Sequence, residues 1–166
     1  MRFKGVSIVI ALVMLLVLPV TAKAVTIFLF ADLTGAQETP PNPSTALGVG
    51  AFVFDTDTSI LTGLVAHNVT NTTAAHIHMA PAGVAGGIVF PMPGSLPTPS
   101  PIFVTWLVPA NLVTPLLNGG LYFNIHSSMF PGGEIRGQLL QIPEPATMAL
   151  VGTGLLGLAL RKRRAA

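Results

Sequence analysis

Between residues 25 and 140 the sequence contains eight short runs rich in β-branched and aromatic residues, and residues that favour turns separate most of them. The predicted strands cover residues 25–32, 49–55, 60–67, 74–79, 88–90, 103–108, 121–126 and 135–140. The connections at 55–59 and 131–133 have hairpin length. Prolines place segment 39–43 outside any sheet and predict an exposed, semi-stiff loop at 91–101. Pro115 limits residues 109–117 to one helical turn. The pattern predicts an all-β domain, a sandwich or a barrel.

The first 24 residues have the organisation of a secretion signal. A basic start at Arg2 and Lys4 precedes an apolar run over residues 6–20, and small residues at Ala22 and Ala24 occupy the positions that signal peptidase reads. The alternative is a transmembrane anchor, but a helical span needs roughly 20 apolar residues. We therefore expect a signal helix that signal peptidase removes after Ala24.

The C-terminal segment combines a Pro-Glu-Pro motif, a run without charged residues at 146–160 and a basic terminus. The motif consists of Pro143, Glu144 and Pro145, and the basic tail consists of Arg161, Lys162, Arg163 and Arg164. The run predicts a transmembrane helix, and the positive-inside rule predicts a cytoplasmic terminus with the domain outside. A helix over 146–160 would be about 22 Å long, which is short for a hydrocarbon core of about 30 Å.

These three parts, in this order, resemble the PEP-CTERM sorting signal of Gram-negative bacteria. The resemblance implies recognition and cleavage by an exosortase, with transient residence in the inner membrane and release to the cell surface or the extracellular polymer. An ordinary tail anchor is the alternative. Three segments follow: a signal peptide at 1–24, a β domain at 25–142 and a sorting tail at 143–166.

The charges of the chain divide unevenly between its ends and its middle. Of eight Lys and Arg residues, only Arg136 lies in residues 25–142, against five carboxylates, so the domain carries 1 − 5 = −4. Nucleic-acid binding depends on several cationic contacts with phosphates, so we expect no nucleic-acid partner. The sequence has no cysteine, which excludes thiol catalysis and Cys-ligated zinc. No Ser-His-Asp pattern or carboxylate pair is visible, so the sequence does not predict an enzyme.

Three of the predicted strands carry a polar row opposite an apolar row. Side chains alternate in a strand, so His76 and His78 share one face, and the rows of His126 and of Glu134 and Arg136 behave alike. If these strands are neighbours, His76, His78 and His126 are candidate ligands for zinc or copper. The alternative is a structural polar cluster with no cofactor, in which Arg136 pairs with Glu134 or Glu38.

Three further segments follow one another along the domain in a specific order. They are residues 33–41 (LTGAQETPP), residues 75–78 (AHIH) followed by Gly83 and Gly86-Gly87, and residues 122–127 (YFNIHS) running into 132–139 (GGEIRGQL). On these segments the domain resembles the CHRD domain, first described in chordin. The resemblance implies an immunoglobulin-like or Greek-key antiparallel β-sandwich and no established catalytic activity. The segment at 79–83 departs from the family, in which a glycine commonly follows the histidines almost at once.

Two functions from different classes follow. The first is an exported, non-enzymatic protein of the cell surface or extracellular matrix, with signal peptidase, an exosortase and exopolysaccharide as partners. The second is a metal-binding or redox protein that uses His76, His78 and His126.

Overall fold

The computed structural model describes residues 25–92 and 100–143, together with Thr153, which is helical. The strands are β1 Thr26–Thr34, β2 Leu47–Asp55, β3 Ile60–His67, β4 Thr72–Met79, β5 Gly87–Pro91, β6 Ile102–Leu107, β7 Leu121–Ser127, β8 Ile135–Gln138 and β9 Leu140–Gln141. A 3-10 turn, Gly35–Gln37, follows β1, and an α-helix, α1, spans Ala110–Leu117. The signal segment 1–24 and the predicted helix 146–160, apart from Thr153, lie outside the described residues. Within the described ranges no helix combines the length and apolar character that crossing a membrane requires.

All eight predicted strands are present, with boundaries shifted by a few residues. The run predicted at 135–140 is divided at Leu139 into β8 and β9. The predicted single helical turn was wrong in length, because α1 has eight residues and contains Pro115. Pro115 stands near the end of α1, so its missing N–H removes only one hydrogen bond before the helix ends at Leu117.

The strands form one antiparallel sheet in the order β5-β4-β7-β8-β1-β2-β3-β6, with β9 also paired to β1. Both short connections join antiparallel neighbours, as predicted. In the first, the Asp55 carboxylate accepts the N–H groups of Asp57 and Thr58 at 2.9 Å each. The sheet curls until its two end strands approach, where Phe90 of β5 stacks on Trp106 of β6 with ring centroids 5.0 Å apart. The all-β antiparallel prediction is confirmed, in the form of a nearly closed, barrel-like sheet.

The apolar core lies inside this curled sheet. Alternate residues of each strand point inward, and Phe52 of β2 meets Phe123 of β7 across the core with ring centroids 6.3 Å apart. Trp106, a single aromatic residue in a predicted strand, is buried. The core residues on the strands that carry the polar rows are Ala75, Ile77, Leu121, Phe123, Ile125 and Ile135. The predicted apolar faces of these strands are therefore correct, and their polar residues face outward.

Two loops cover that outward face of β4, β7 and β8. One begins at the 3-10 turn and continues through residues 38–46, and the other covers residues 80–86. Backbone carbonyls of the second loop accept hydrogen bonds from side chains of β8, which holds the loop against the sheet. A polar row that a bare sheet would expose is thereby buried.

Candidate functional site

The polar rows of β4, β7 and β8 merge into one layer, as the sequence predicted for neighbouring strands. In the register, His76 faces Asn124 on β7, and Asn124 in turn faces Arg136 on β8. His78 faces Tyr122 in the same way. Because the three strands are consecutive in the sheet, side chains up to 60 residues apart in sequence (76 to 136) lie in one layer, with β7 between the outer two strands.

The three candidate histidines converge at one end of this layer. One ring nitrogen of each lies within 4.8 Å of one ring nitrogen of both others. The closest approach is 3.1 Å, between Nδ1 of His76 and Nε2 of His126. His78 is buried, whereas His76 and His126 are half-buried. The structure brings the three predicted histidines together; that the group holds a metal stays a prediction.

Backbone carbonyls orient two of the imidazoles. Nδ1–H of His126 donates to the carbonyl of Pro131 at 3.0 Å, so Nε2 of His126 carries a lone pair. Nδ1–H of His76 donates to that lone pair. His78 donates through Nδ1–H to the carbonyl of Gly86 at 2.9 Å. Nε2 of His78 is then an acceptor, and it is buried with no partner in the described part of the chain.

Burial keeps the three rings neutral at neutral pH. Desolvation, followed by the neighbouring imidazoles of His126 and His78, lowers the pKa of His76 to about 4. Burial also lowers the pKa of His78 and of His126, although each ring donates to a carbonyl that opposes the shift. Neutral imidazole is the form that binds metal ions.

Arg136 occupies the centre of the polar layer and is 2% exposed. Its guanidinium donates to the carbonyls of Pro81 at 2.9 Å and Val84 at 2.8 Å, and to the hydroxyl of Thr39 at 3.2 Å. Its carbon Cζ lies 3.4 Å from the centroid of the Tyr122 ring. These contacts bind both covering loops to β8, and burial lowers the pKa of Arg136 from its ordinary value.

Tyr122 carries a second ring on its other side. His78 stacks on it with centroids 4.9 Å apart and planes 8° from parallel. The Tyr122 hydroxyl accepts the N–H of Gly86 at 3.0 Å, and the carbonyl of Gly86 accepts from His78. For a single aromatic residue in a strand, core or half-buried packing is the default expectation; the place of Tyr122 between a cation and an imidazole follows from the strand order.

The predicted pairing of Arg136 with Glu134 or Glu38 was wrong for hydrogen bonding. Glu134 is buried and accepts from the hydroxyl of Ser44 at 2.8 Å. Glu38 is buried near Arg136, and burial raises its pKa to about 7 although the guanidinium charge of Arg136 opposes that shift. Carbonyls and one hydroxyl of the covering loops take the place of a carboxylate partner for Arg136.

Glu38 and Gly133 form a contact that the sequence did not reveal. Gly133 has a φ of +134°, and a Cβ built there would lie 2.7 Å from both carboxylate oxygens of Glu38 and 2.8 Å from the amide nitrogen of Asn124. The glycine therefore provides space for the carboxyl group of Glu38. The glycines of GGEIRG in the sequence indicate a turn at this position, but nothing in the sequence indicates that Glu38 packs against it.

The remaining residues are His67 and those of the sorting motif and basic tail. His67 lies at the end of a predicted strand beside Asn68, which favours a position on the polar surface. In the structure both of its ring nitrogens are buried without a partner in the described ranges, and burial lowers its pKa. Of the sorting motif, the structure describes Pro143, which is exposed. The other residues of that motif and of the basic tail lie outside the described residues: Glu144, Pro145, Arg161, Lys162, Arg163 and Arg164.

Comparison with known proteins matches two family models to this chain. The model described as the CHRD domain matches residues 29–139, and the model described as the PEP-CTERM protein-sorting motif matches residues 141–164. Searches of curated proteins and of solved structures returned no match.

Proposed function

The chain belongs to the CHRD domain family, whose model covers residues 29–139, and from that premise we propose that it is an exported, non-enzymatic protein of the cell surface or extracellular matrix. The PEP-CTERM match carries this proposal, because the motif indicates exosortase-dependent export and surface sorting. Signal peptidase removes residues 1–24, and the hydrophobic run at 146–160 holds the chain in the inner membrane of a Gram-negative bacterium. An exosortase then releases the domain.

The masses of the surface form test this pathway. The expected mature chain begins at Val25 and lacks the basic tail from Arg161 onward. A variant with alanine at Pro143, Glu144 and Pro145 should keep the tail and remain in the membrane fraction. Alanine at Thr153, inside the hydrophobic run, is the matched control and should be processed normally. Wild-type protein that reaches the surface with Ala166 intact would contradict processing.

For the fold we propose the two-layer packing of an immunoglobulin-like or Greek-key sandwich within the barrel-like sheet. One half is β5-β4-β7-β8 and the other is β1-β2-β3-β6. In support, β8 and β1 pair at one position only, Thr34 with Arg136, whereas Phe52 and Phe123 join the halves across the core. A late strand beside β1, followed by the hairpins β1-β2-β3, matches the spatial order of a Greek key.

An exposed apolar row gives this surface protein a contact face. Phe30 is paired in register with Leu140 and Ala51, Ala51 with Leu64, and Leu64 with Phe103. Phe103 is 71% exposed and Leu140 is 54% exposed. The row crosses five strands, about 19 Å at the usual strand spacing, and contains no charge. Exposed apolar patches of this kind mark interaction sites.

We assign exopolysaccharide as the occupant of this row, since exposed aromatic rings stack on the apolar faces of sugar rings and export places the chain beside such polymer. Cosedimentation with polymer isolated from the producing cells tests the assignment. Phe103→Ala should lower bound protein several-fold, while Thr105→Ala, its neighbour on the same face, should leave binding unchanged. Absence of wild-type binding, or loss of self-association alone in Phe103→Ala, would overturn the assignment.

A further inference from the structure

The imidazoles of His76, His78 and His126 are arranged as three neutral donors around one point. Two lone pairs are set by the hydrogen bonds to Pro131 and Gly86. The third ligand nitrogen is Nδ1 of His76, 3.1 Å from Nε2 of His126. To bind a metal ion, His76 takes the tautomer with its proton on Nε2, which gives up the hydrogen bond from Nδ1–H and leaves a lone pair on each of the three nitrogens. We propose that these three residues bind a divalent transition-metal ion of the zinc or copper type.

The separations suit such an ion. Tetrahedral zinc with bonds of about 2.0–2.1 Å to histidine places its ligand nitrogens about 3.3 Å apart. One pair of nitrogens here is 3.1 Å apart, and all three lie within 4.8 Å of one another. Small rotations of the rings therefore suffice to complete the site. The half-buried state of His76 and His126 leaves a path for the ion and for a fourth ligand.

The imidazoles of His78 and His126 have the backbone hydrogen bonds that metal-binding histidines use. Each ligand imidazole normally donates its other ring N–H to a carbonyl or carboxylate, which fixes the tautomer and the ring orientation. The carbonyls of Gly86 and Pro131 have this role for His78 and His126. His78 is only 8% exposed, and its Nε2 has no partner in the described part of the chain. A buried acceptor without a partner is costly. A bound ion would satisfy it.

The donor set also restricts which ion binds. Three imidazoles without a carboxylate favour zinc or copper over magnesium or calcium, which prefer oxygen ligands. The nearest buried cation, Arg136, is separated from His78 by the ring of Tyr122, which lies between the two. The acceptors bonded to Arg136 further reduce its repulsion of a metal ion.

Isothermal titration of the untagged full-length chain with ZnCl₂ or CuCl₂ tests the proposal. One equivalent should bind, and Co²⁺ in place of zinc should give the visible bands of a four-coordinate ion. His78→Gln and His126→Gln should each weaken binding by more than about 100-fold. Loss of a residue that only hydrogen-bonds to a metal ligand costs at most about 100-fold, so a larger loss identifies a ligand.

His67→Gln is the matched control, since it alters the one histidine outside the group, and it should bind metal as the wild type does. Circular dichroism of every variant identifies any that fails to fold, and Co²⁺ spectra of the folded variants then decide. Absence of binding by folded wild-type protein would overturn the proposal. Binding that the His78 and His126 variants retain, or that His67→Gln also weakens 100-fold, would overturn it as well.

Discussion

Replacing Arg136 with methionine tests whether the buried guanidinium holds the covering loops on the sheet. Methionine keeps much of the apolar volume but has no donor. The carbonyls of Pro81 and Val84, now bonded at 2.9 and 2.8 Å, would each lose their charged partner, and Tyr122 would lose the cation 3.4 Å from its ring centroid. The side chain is almost fully buried, so water cannot replace these bonds without moving the loops.

The expected loss of stability follows from these contacts. Each unsatisfied carbonyl costs about 1–3 kcal/mol, and the cation–π contact contributes about 0.5–2 kcal/mol. Removing a desolvated charge offsets part of this sum. We expect Arg136→Met to lower the free energy of unfolding by about 3 kcal/mol, which corresponds to a fall in Tm of about 10 °C for a domain of this size.

Urea unfolding followed by circular dichroism measures this change, and amide hydrogen exchange shows whether residues 80–86 lose protection. Arg136→Lys keeps the charge but cannot reach several acceptors, so it should recover less than half of the loss. Gln141→Ala is the control, because it removes an exposed bond to the carbonyl of Leu117 and should change stability by less than about 0.5 kcal/mol. An Arg136→Met protein as stable as the wild type, with unchanged protection of the loop, would refute the reasoning.

Three further predictions concern the same domain. The pKa of Glu38 is raised from 4.5 to about 7, so its protonated form adds stability below pH 4.5 that is lost as the pH rises to 7. Glu38→Gln should remove this decline, which is measured as the difference in unfolding free energy between wild type and variant because the buried histidines titrate in the opposite sense. A difference that does not change with pH would contradict the prediction. Gly133→Ala should cost about 1–3 kcal/mol through backbone strain and collision with Glu38, while Gly132→Ala, with no atom within 4 Å, should be nearly neutral in the same urea assay. Phe52→Ala should cost about 3–5 kcal/mol by opening a cavity against Phe123, and a loss under 1 kcal/mol in thermal unfolding would contradict that packing.

Local pattern predicted the elements of this domain well, because the alternation of side chains in a strand depends on neighbouring residues alone. The strand runs, the two hairpins and the inward faces of β4, β7 and β8 were all visible in the sequence. So were His76, His78 and His126 as one possible group, since alternation places the first two on one side. The length of α1 was underestimated, since a proline near the end of a helix removes only one hydrogen bond.

The sequence by itself thus determined an all-β chain with an acidic middle, a polar row on three strands and a sorting motif at one end. Only the tertiary structure decided that β4, β7 and β8 are neighbours and that two loops bury their outward face. Strand order depends on contacts between residues far apart in sequence, so no local pattern encodes it. Burial then altered the chemistry, because desolvation raised the pKa of Glu38 and lowered the pKa of His76. The covering loop supplied carbonyl partners to Arg136 in place of a carboxylate.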